Sequence, residues 1–429
     1  MFTSLRTRNY RLFAAGQVVS NSGTWMQRTA QDWLVLEVSH GSGTALGIAA
    51  GLQFLPLLLF SLWGGAIADR FPKRRILLIT QSLMGALALV LGILALTGTV
   101  RLWQVYLLAL ALGMVTVVDN PTRQTFVTEM VGQTDMPNAI ALNSAIFNLA
   151  RIAGPAIAGI IIGLVGTPTA FLVNAASYGA VIAGLLLMRP AELLPIKRVA
   201  RAKGQLREAL NYLGGAPRIW VPMAMLFFVA TFGMNFQVTT ALMSRGVFHT
   251  GAASFGLAST AYAAGALGGA LLAARRRRPS VRLQVAVALA FGILETASGL
   301  MPAYWAFLLL LLPTGLSVVL YTTAANSATQ LGTDPRMRGR VMGVYMLVFL
   351  GGAPIGSPLI GWIAEQFGPR MSLISGGLVS AIAAVVAAVV LSRLTGTGMR
   401  DGLRALAPYR GGVRRSPLPS PEADQQAAA

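Results

Sequence analysis

Gly64-Gly65-Ala66-Ile67-Ala68-Asp69-Arg70-Phe71-Pro72-Lys73-Arg74-Arg75 ends a long apolar segment in a burst of charge. An echo stands later in the chain: Gly268-Gly269-Ala270-Leu271-Leu272-Ala273 followed by Arg275 to Arg278, with Ala273 in the place of Asp69. Each copy closes the second apolar segment of its own half. Internal repetition of this kind is the sequence sign of a transporter built from two duplicated bundles.

The chain around these copies is too apolar for a soluble domain. Of its 429 residues, 55% are hydrophobic and 11% charged, which places it in a bilayer. Apolar stretches of about 20 residues, enough to cross a membrane, fall near 10–36, 44–68, 76–97, 102–122, 139–163 and 168–188. A second set falls near 219–243, 253–274, 282–300, 303–325, 341–364 and 371–392. The expected fold is an all-α membrane protein with twelve transmembrane helices in two pseudo-symmetric six-helix halves. Its expected units are a bundle at 1–188, a polar central loop at 189–218, a second bundle at 219–393 and a disordered Pro/Gly/Arg/Ala-rich tail at 394–429.

The basic residues set the orientation. Of 34 Lys and Arg, 29 fall at alternate segment ends and gaps, whereas Arg101, Arg245 and Arg370 alone occupy the intervening ones. This asymmetry predicts a cytoplasmic-membrane protein with both termini inside. The first apolar segment follows Arg6, Arg8 and Arg11 and shows no cleavage site, so it is read as the first helix. The net charge of +20 does not signal nucleic acid, because the charges punctuate membrane segments and do not gather on a soluble face. Anionic lipid headgroups are the expected partner of those loops.

Several chemistries are excluded. The chain has no cysteine and only two histidines, His40 and His249, which leaves no thiol chemistry and makes a histidine-built metal site unexpected. It has neither a nucleotide-binding loop nor a nucleophile and base at diagnostic spacing. No cofactor and no enzyme activity are expected, and an ion gradient is the expected energy source.

The stretch Gly65-Ala66-Ile67-Ala68-Asp69-Arg70-Phe71-Pro72-Lys73-Arg74 resembles the Gly-x-x-x-Asp-Arg-x-Gly-Arg-Arg signature of the major facilitator superfamily, with Pro72 for the usual glycine. Gly154-Pro155-Ala156-Ile157-Ala158-Gly159 is similar to that family's antiporter motif in helix 5, with Ala158 for one glycine. Trp25-Met26-Gln27, Asn120-Pro121-x-Arg123-Gln124, Asn148-Leu149-Ala150-Arg151 and Arg338-Gly339-Arg340 narrow the resemblance to the drug and siderophore efflux branch that includes enterobactin exporters. The resemblance covers about residues 5 to 393. It implies alternating access around a cavity lined by helices 1, 4, 7 and 10, proton coupling, and a conformational latch in which Gly65, Asp69, Arg70 and Arg74 face the start of helix 11 near Arg340.

The residues themselves single out span 1. Gln17, Asn21, Thr24, Arg28 and Asp32 are spaced by 4, 3, 4 and 4 and so form one polar stripe. A stripe of that kind faces either a wet cavity or a neighbouring helix, because lipid would leave it unsatisfied. Thinner stripes carry Thr116, Asp119 and Arg123 in span 4, Thr231, Asn235 and Thr239 in span 7, and Thr314, Ser317 and Tyr321 in span 10.

Arg28 and Asp32 are placed to pair, either as a static ion pair or as a proton-exchanging carboxylate with a responding cation. Arg151 sits deep in span 5 and needs a counter-charge, with Asp119 or a substrate carboxylate as candidates. Glu295 sits deep in span 9, with a structural or a coupling role. The expected function is proton-coupled export of hydrophobic or amphipathic small molecules by a monomer. An uptake carrier on the same fold and a non-transporting receptor or scaffold are the alternatives.

Overall fold

The structure is a computed structural model, described over residues 3–194, 205–275 and 280–394. The tail expected to be disordered lies, from residue 395 on, outside the described residues, as do part of the central loop and the basic run 276–279.

The described residues are almost entirely helical: α1 (Arg8–Val38), α2 (Gly43–Arg70), α3 (Lys73–Leu96), α4 (Leu102–Val165), α5 (Thr167–Leu187), α6 (Gln205–Gly214), α7 (Pro217–Phe228), α8 (Phe236–Gly246), α9 (Ala252–Arg275), α10 (Val281–Leu300), α11 (Tyr304–Gly332), α12 (Arg338–Phe367) and α13 (Pro369–Leu394). Ten stretches are long and apolar enough to cross a bilayer among the described residues. One of them, α4, is 64 residues long, more than twice the length a crossing requires, and carries spans 4 and 5. The stretch Pro217–Gly246, which joins α7 and α8, is span 7. Adding α1, whose polar stripe lowers its hydropathy, completes twelve crossings, so Thr3 and Leu394 lie on one face, here the near face.

Two expectations about continuity are corrected. The gap between spans 4 and 5 is helical except at Gly132, whose φ of 69° and ψ of −175° form a backbone kink only glycine adopts without strain. Span 7 is not one helix: a π turn at Val229–Gly233 separates α7 from α8. A Cβ on Gly356 of α12 would run into the carbonyl oxygen of Thr231, so the distorted turn and the glycine together let two backbones approach.

Equivalent hairpins of the two halves turn on Gly166 and Gly368, with φ of 85° and 91°. Leu59, Ile79, Trp103, Ile160, Leu309 and Ile382 are each more than half exposed, an apolar belt that suits lipid. Inside, Phe291, Phe307, Leu311 and Tyr345 anchor the core of the second half. Tyr10, Phe13 and Phe126 anchor the first half near the termini.

The contacts that join the halves lie toward the far face. A third cluster puts Trp33, Leu34 and Ala45 of the first half against Val238, Leu242 and Phe255 of the second, with Trp33 stacked on Phe255 at 6.1 Å. Gly43 faces the carbonyl of Gly361, where a Cβ would come within 2.5 Å. At the near end of α12, Gly339 and Gly343 have open space around them. The two halves are therefore closely packed against each other toward the far face.

Candidate functional site

The first half holds a polar cavity of about 190 Å³ whose lining includes Asn21, Thr24 and Arg28 from α1 with Thr116, Asn120 and Arg123 from α4. The stripe of span 1 therefore faces this cavity through its middle members. Gln17 and Asp32, at 5% and 7% exposure, extend the same stripe outside the cavity lining.

Arg123 organises the near side. Its guanidinium contacts Asp119 at 3.1 Å and donates to Gln17 Oε1 at 3.2 Å, Asn21 Oδ1 at 3.4 Å and Asn120 Oδ1 at 2.9 Å. Asp119 is fully buried and accepts hydrogen bonds from Thr80 Oγ1 and Gln81 Nε2, both at 2.8 Å. Three helices thus share one charge-compensated network, the arrangement a buried ion pair needs to offset its desolvation. Asp119 belongs to Arg123 and is not the counter-charge considered for Arg151.

Arg28 corrects a second pairing. Its head group and Asp32 lie on one face, yet no ion pair within 4.0 Å joins them. Arg28 instead rests over the ring of Trp25 at 4.9 Å and that of Phe54 at 5.8 Å, a cation–π arrangement. Its Nε and Asp32 Oδ2 are buried without hydrogen-bond partners.

A second cavity, about 170 Å³, lies between the halves and is lined by Trp25, Arg151, Met234, Phe236 and Tyr262 among others. Arg151 Nε is also buried without a partner. Trp25 belongs to both cavities and forms the wall between them.

The helix 5 motif positions that wall. A Cβ on Gly154 would come within 2.5 Å of Trp25 Cβ, and Gly159 lies against Ala252 and Ala253 of α9. The carbonyl of Pro155 faces Gly256 of α9, 2.5 Å from where a Cβ would stand. The motif is a close-packing seam of α1, α4 and α9, consistent with small residues at membrane helix interfaces.

The second half departs from expectation. Asn235 is 5% exposed, donates to the Thr231 carbonyl at 2.7 Å and accepts from Ser357 Oγ at 2.8 Å, so it repairs the backbone at the π turn and lines neither cavity. Tyr321 is fully buried in the second-half core. Thr314 and Ser317 bond to the carbonyls of Leu310 and Pro313 four residues back, which satisfies them inside their own helix. Glu295 is 1% exposed, wedged against Gly233 and Gly376, and lines neither cavity.

The basic motif after α2 also divides. Arg74 donates from Nε to the Leu185 carbonyl at 2.7 Å and caps the end of α5, which serves its own half. Arg340 pairs with Glu208 of α6. Gly65 is buried, whereas Asp69 and Arg70 are exposed at the near face. Sequence reasoning missed Gln31, Gln53, Gln81, Asn174 and Tyr178, all of which line the first cavity. The signal for Gln53, Gln81 and Asn174 was a single amide in an otherwise apolar span.

Twelve crossings in two packed halves around polar cavities define a major facilitator transporter. The chain matches, over residues 1–405, the family described as transmembrane secretion effector, and it belongs to that family. It is a multi-pass membrane transporter and not an enzyme. It is 27% identical over 394 residues to the multidrug efflux pump Tap of Mycolicibacterium fortuitum, covering 89% of this chain and 95% of that protein. It is 33% identical over 157 residues to the staphyloferrin A transporter of Staphylococcus aureus, a match spanning 36% of this chain and 39% of that protein.

Among solved structures, a bacterial homologue of the human lysosomal transporter Spinster, inward-facing and occupied, superposes with a TM-score of 0.69 at 16% identity, covering 92% of this chain and 98% of that one. The nucleoside transporter NupG superposes with a TM-score of 0.69 at 12% identity, covering 88% and 98%. Both are likenesses of fold.

Proposed function

We propose that the protein exports amphipathic small molecules, drugs or siderophores, across the cytoplasmic membrane by proton-coupled alternating access. The observation that carries this reading is a polar, arginine-bearing cavity set inside an apolar bundle whose halves pack closely toward one face. Such a cavity has no structural purpose that an apolar core would not serve better. The names of the relatives, efflux pumps and a siderophore transporter, supply the substrate class and the direction.

The basic loops support a near face in the cytoplasm beside anionic headgroups, and on that reading the state described is open inward. Asp32 is the proton-exchanging carboxylate and Arg28, one turn away, the cation that responds. Asp69 and Arg70, with Arg340, form the latch that closes the cytoplasmic side when the cavity opens outward. The protein works as a monomer, since one chain encloses both cavities.

Transport of a drug panel into energised inverted vesicles tests the proposal. Uptake into those vesicles that ceases on adding a protonophore is expected. Transport indifferent to the proton gradient would remove the coupling claim, and movement only in the opposite sense would make the protein an importer.

A further inference from the structure

We infer that the two cavities form one bipartite site for an amphipathic dianion, in which Arg28 and Arg151 each take an anionic group and Trp25 carries the apolar middle of the ligand. This rests on the transporter reading above and names the substrate chemistry that the reading leaves open.

The charges lining the two cavities are all positive: Arg28 and Arg123 in the first, Arg151 in the second, with no carboxylate in either lining. Arg123 is compensated by Asp119. Arg28 and Arg151 close no ion pair and, among the described residues, donate no hydrogen bond, and the Nε of each is buried without a hydrogen-bond partner; Asp32, one turn on, acts on Arg28 only across space. An arginine at mid-membrane is costly to hold without a counter-charge. Two such costs are retained on either side of one indole.

Guanidinium is a planar fork of donors that matches a carboxylate in bidentate fashion. The surroundings supply the rest of a ligand surface. Around Arg28 stand Gln31, Gln53 and Tyr178, which suit a polar head. Around Arg151 stand Met234, Phe236 and Tyr262, which suit an apolar body, with Phe236 stacked on Tyr262 at 4.3 Å. Trp25 joins the two environments, held by Gly154 behind it. A lipophilic cation would meet the guanidinium groups of Arg28 and Arg151 and is disfavoured.

Calorimetric titration of the full-length protein in lipid nanodiscs tests this, using a length series of linear α,ω-dicarboxylates, monocarboxylates of matched length, and tetraphenylphosphonium. The best dicarboxylate is expected to bind at least about tenfold tighter than its monocarboxylate counterpart. Arg28→Gln and Arg151→Gln are each expected to bring it down to the monocarboxylate level. The comparison of ligands on the unaltered protein needs no variant to fold. Equal affinity for the two acid classes, no measurable dicarboxylate binding, or tighter binding of tetraphenylphosphonium would overturn the dianion site. Export into vesicles that persists in any of those cases leaves the transporter reading standing, whereas a dicarboxylate preference without transport removes that reading and keeps the site.

Discussion

Glu365, at the end of α12, accepts hydrogen bonds from Ser42 Oγ at 2.7 Å and from the Thr44 backbone N–H at 2.8 Å, so a carboxylate of the second half sits on the N-terminus of α2 in the first. Ser42 is also the cap of that helix, accepting from Ala45 N at 3.1 Å. A negative charge at a helix N-terminus is favourable because the dipole and the unpaired N–H groups both attract it. The arrangement mirrors the one expected of Asp69 at the opposite ends of the same two helices. Each half would then place an acid on a helix start of the other, one at each face.

Removing the charge at the far face should bias the protein toward the outward-open state. Glu365 is exposed, so solvent screens the interaction and a charge at a helix N-terminus contributes about 0.3–1 kcal/mol; Glu365→Gln is expected to shift the inward-to-outward ratio roughly two- to fivefold. Spin-label distances across the far face would report it as a growing long-distance population. An unchanged distribution would show that the clasp does not set the balance.

The glycine seam of α2 and α12 makes a stronger prediction. A Cβ on Gly47 would overlap the Ser357 carbonyl, and one on Gly361 would overlap that of Gly43. Gly47→Val should therefore prevent the far face from closing while leaving each half folded. Transport should be lost, with normal amounts of protein in the membrane and far-face labels locked apart.

Asp119 and Asp32 should separate stability from coupling. Asp119→Asn strips the buried counter-charge from Arg123, whose unpaired guanidinium is then costly inside the bundle, and should lower the melting temperature in detergent. Asp32 closes no ion pair within 4.0 Å and its Oδ2 accepts no hydrogen bond, so Asp32→Asn should melt close to the parent protein. Its effect should appear in transport: drive by an imposed pH gradient should fall to the level of protonophore-treated vesicles. A stable Asp119→Asn protein, or an Asp32→Asn protein with intact gradient response, would contradict the assignment.

The Trp25 wall is testable through the motif behind it. Gly154→Leu would press on Trp25 Cβ from 2.5 Å or less and should displace the indole, merging or blocking the cavities. Loss of substrate binding with the fold retained is the expected outcome, read by calorimetry and circular dichroism.

The helices were legible because apolar runs and basic gaps report the bilayer directly, and the stripe of span 1 was legible because its members recur at helical spacing. What periodicity could not separate was a stripe facing a cavity from one facing a helix. Thr314 and Ser317 share the spacing of Asn21 and Thr24, yet their hydroxyls are satisfied by carbonyls one turn back. Arg28 and Asp32 have the spacing of a pair, but the aromatic faces of Trp25 and Phe54 hold the guanidinium instead. The π turn of span 7 left no mark in composition, because Gly356, the residue that requires it, lies on another helix.

The absence of cysteine from the chain permits the most direct test of alternating access around the first cavity. A single Thr24→Cys would be exposed to a membrane-impermeant maleimide in inverted and in right-side-out vesicles, with and without Glu365→Gln. The expected result is labelling in inverted vesicles, little in right-side-out ones, and a rise in the latter when the far-face clasp is removed. Labelling from the outside alone, or equally from both sides without the second substitution, would contradict a cavity sealed at the far face and open to the cytoplasm.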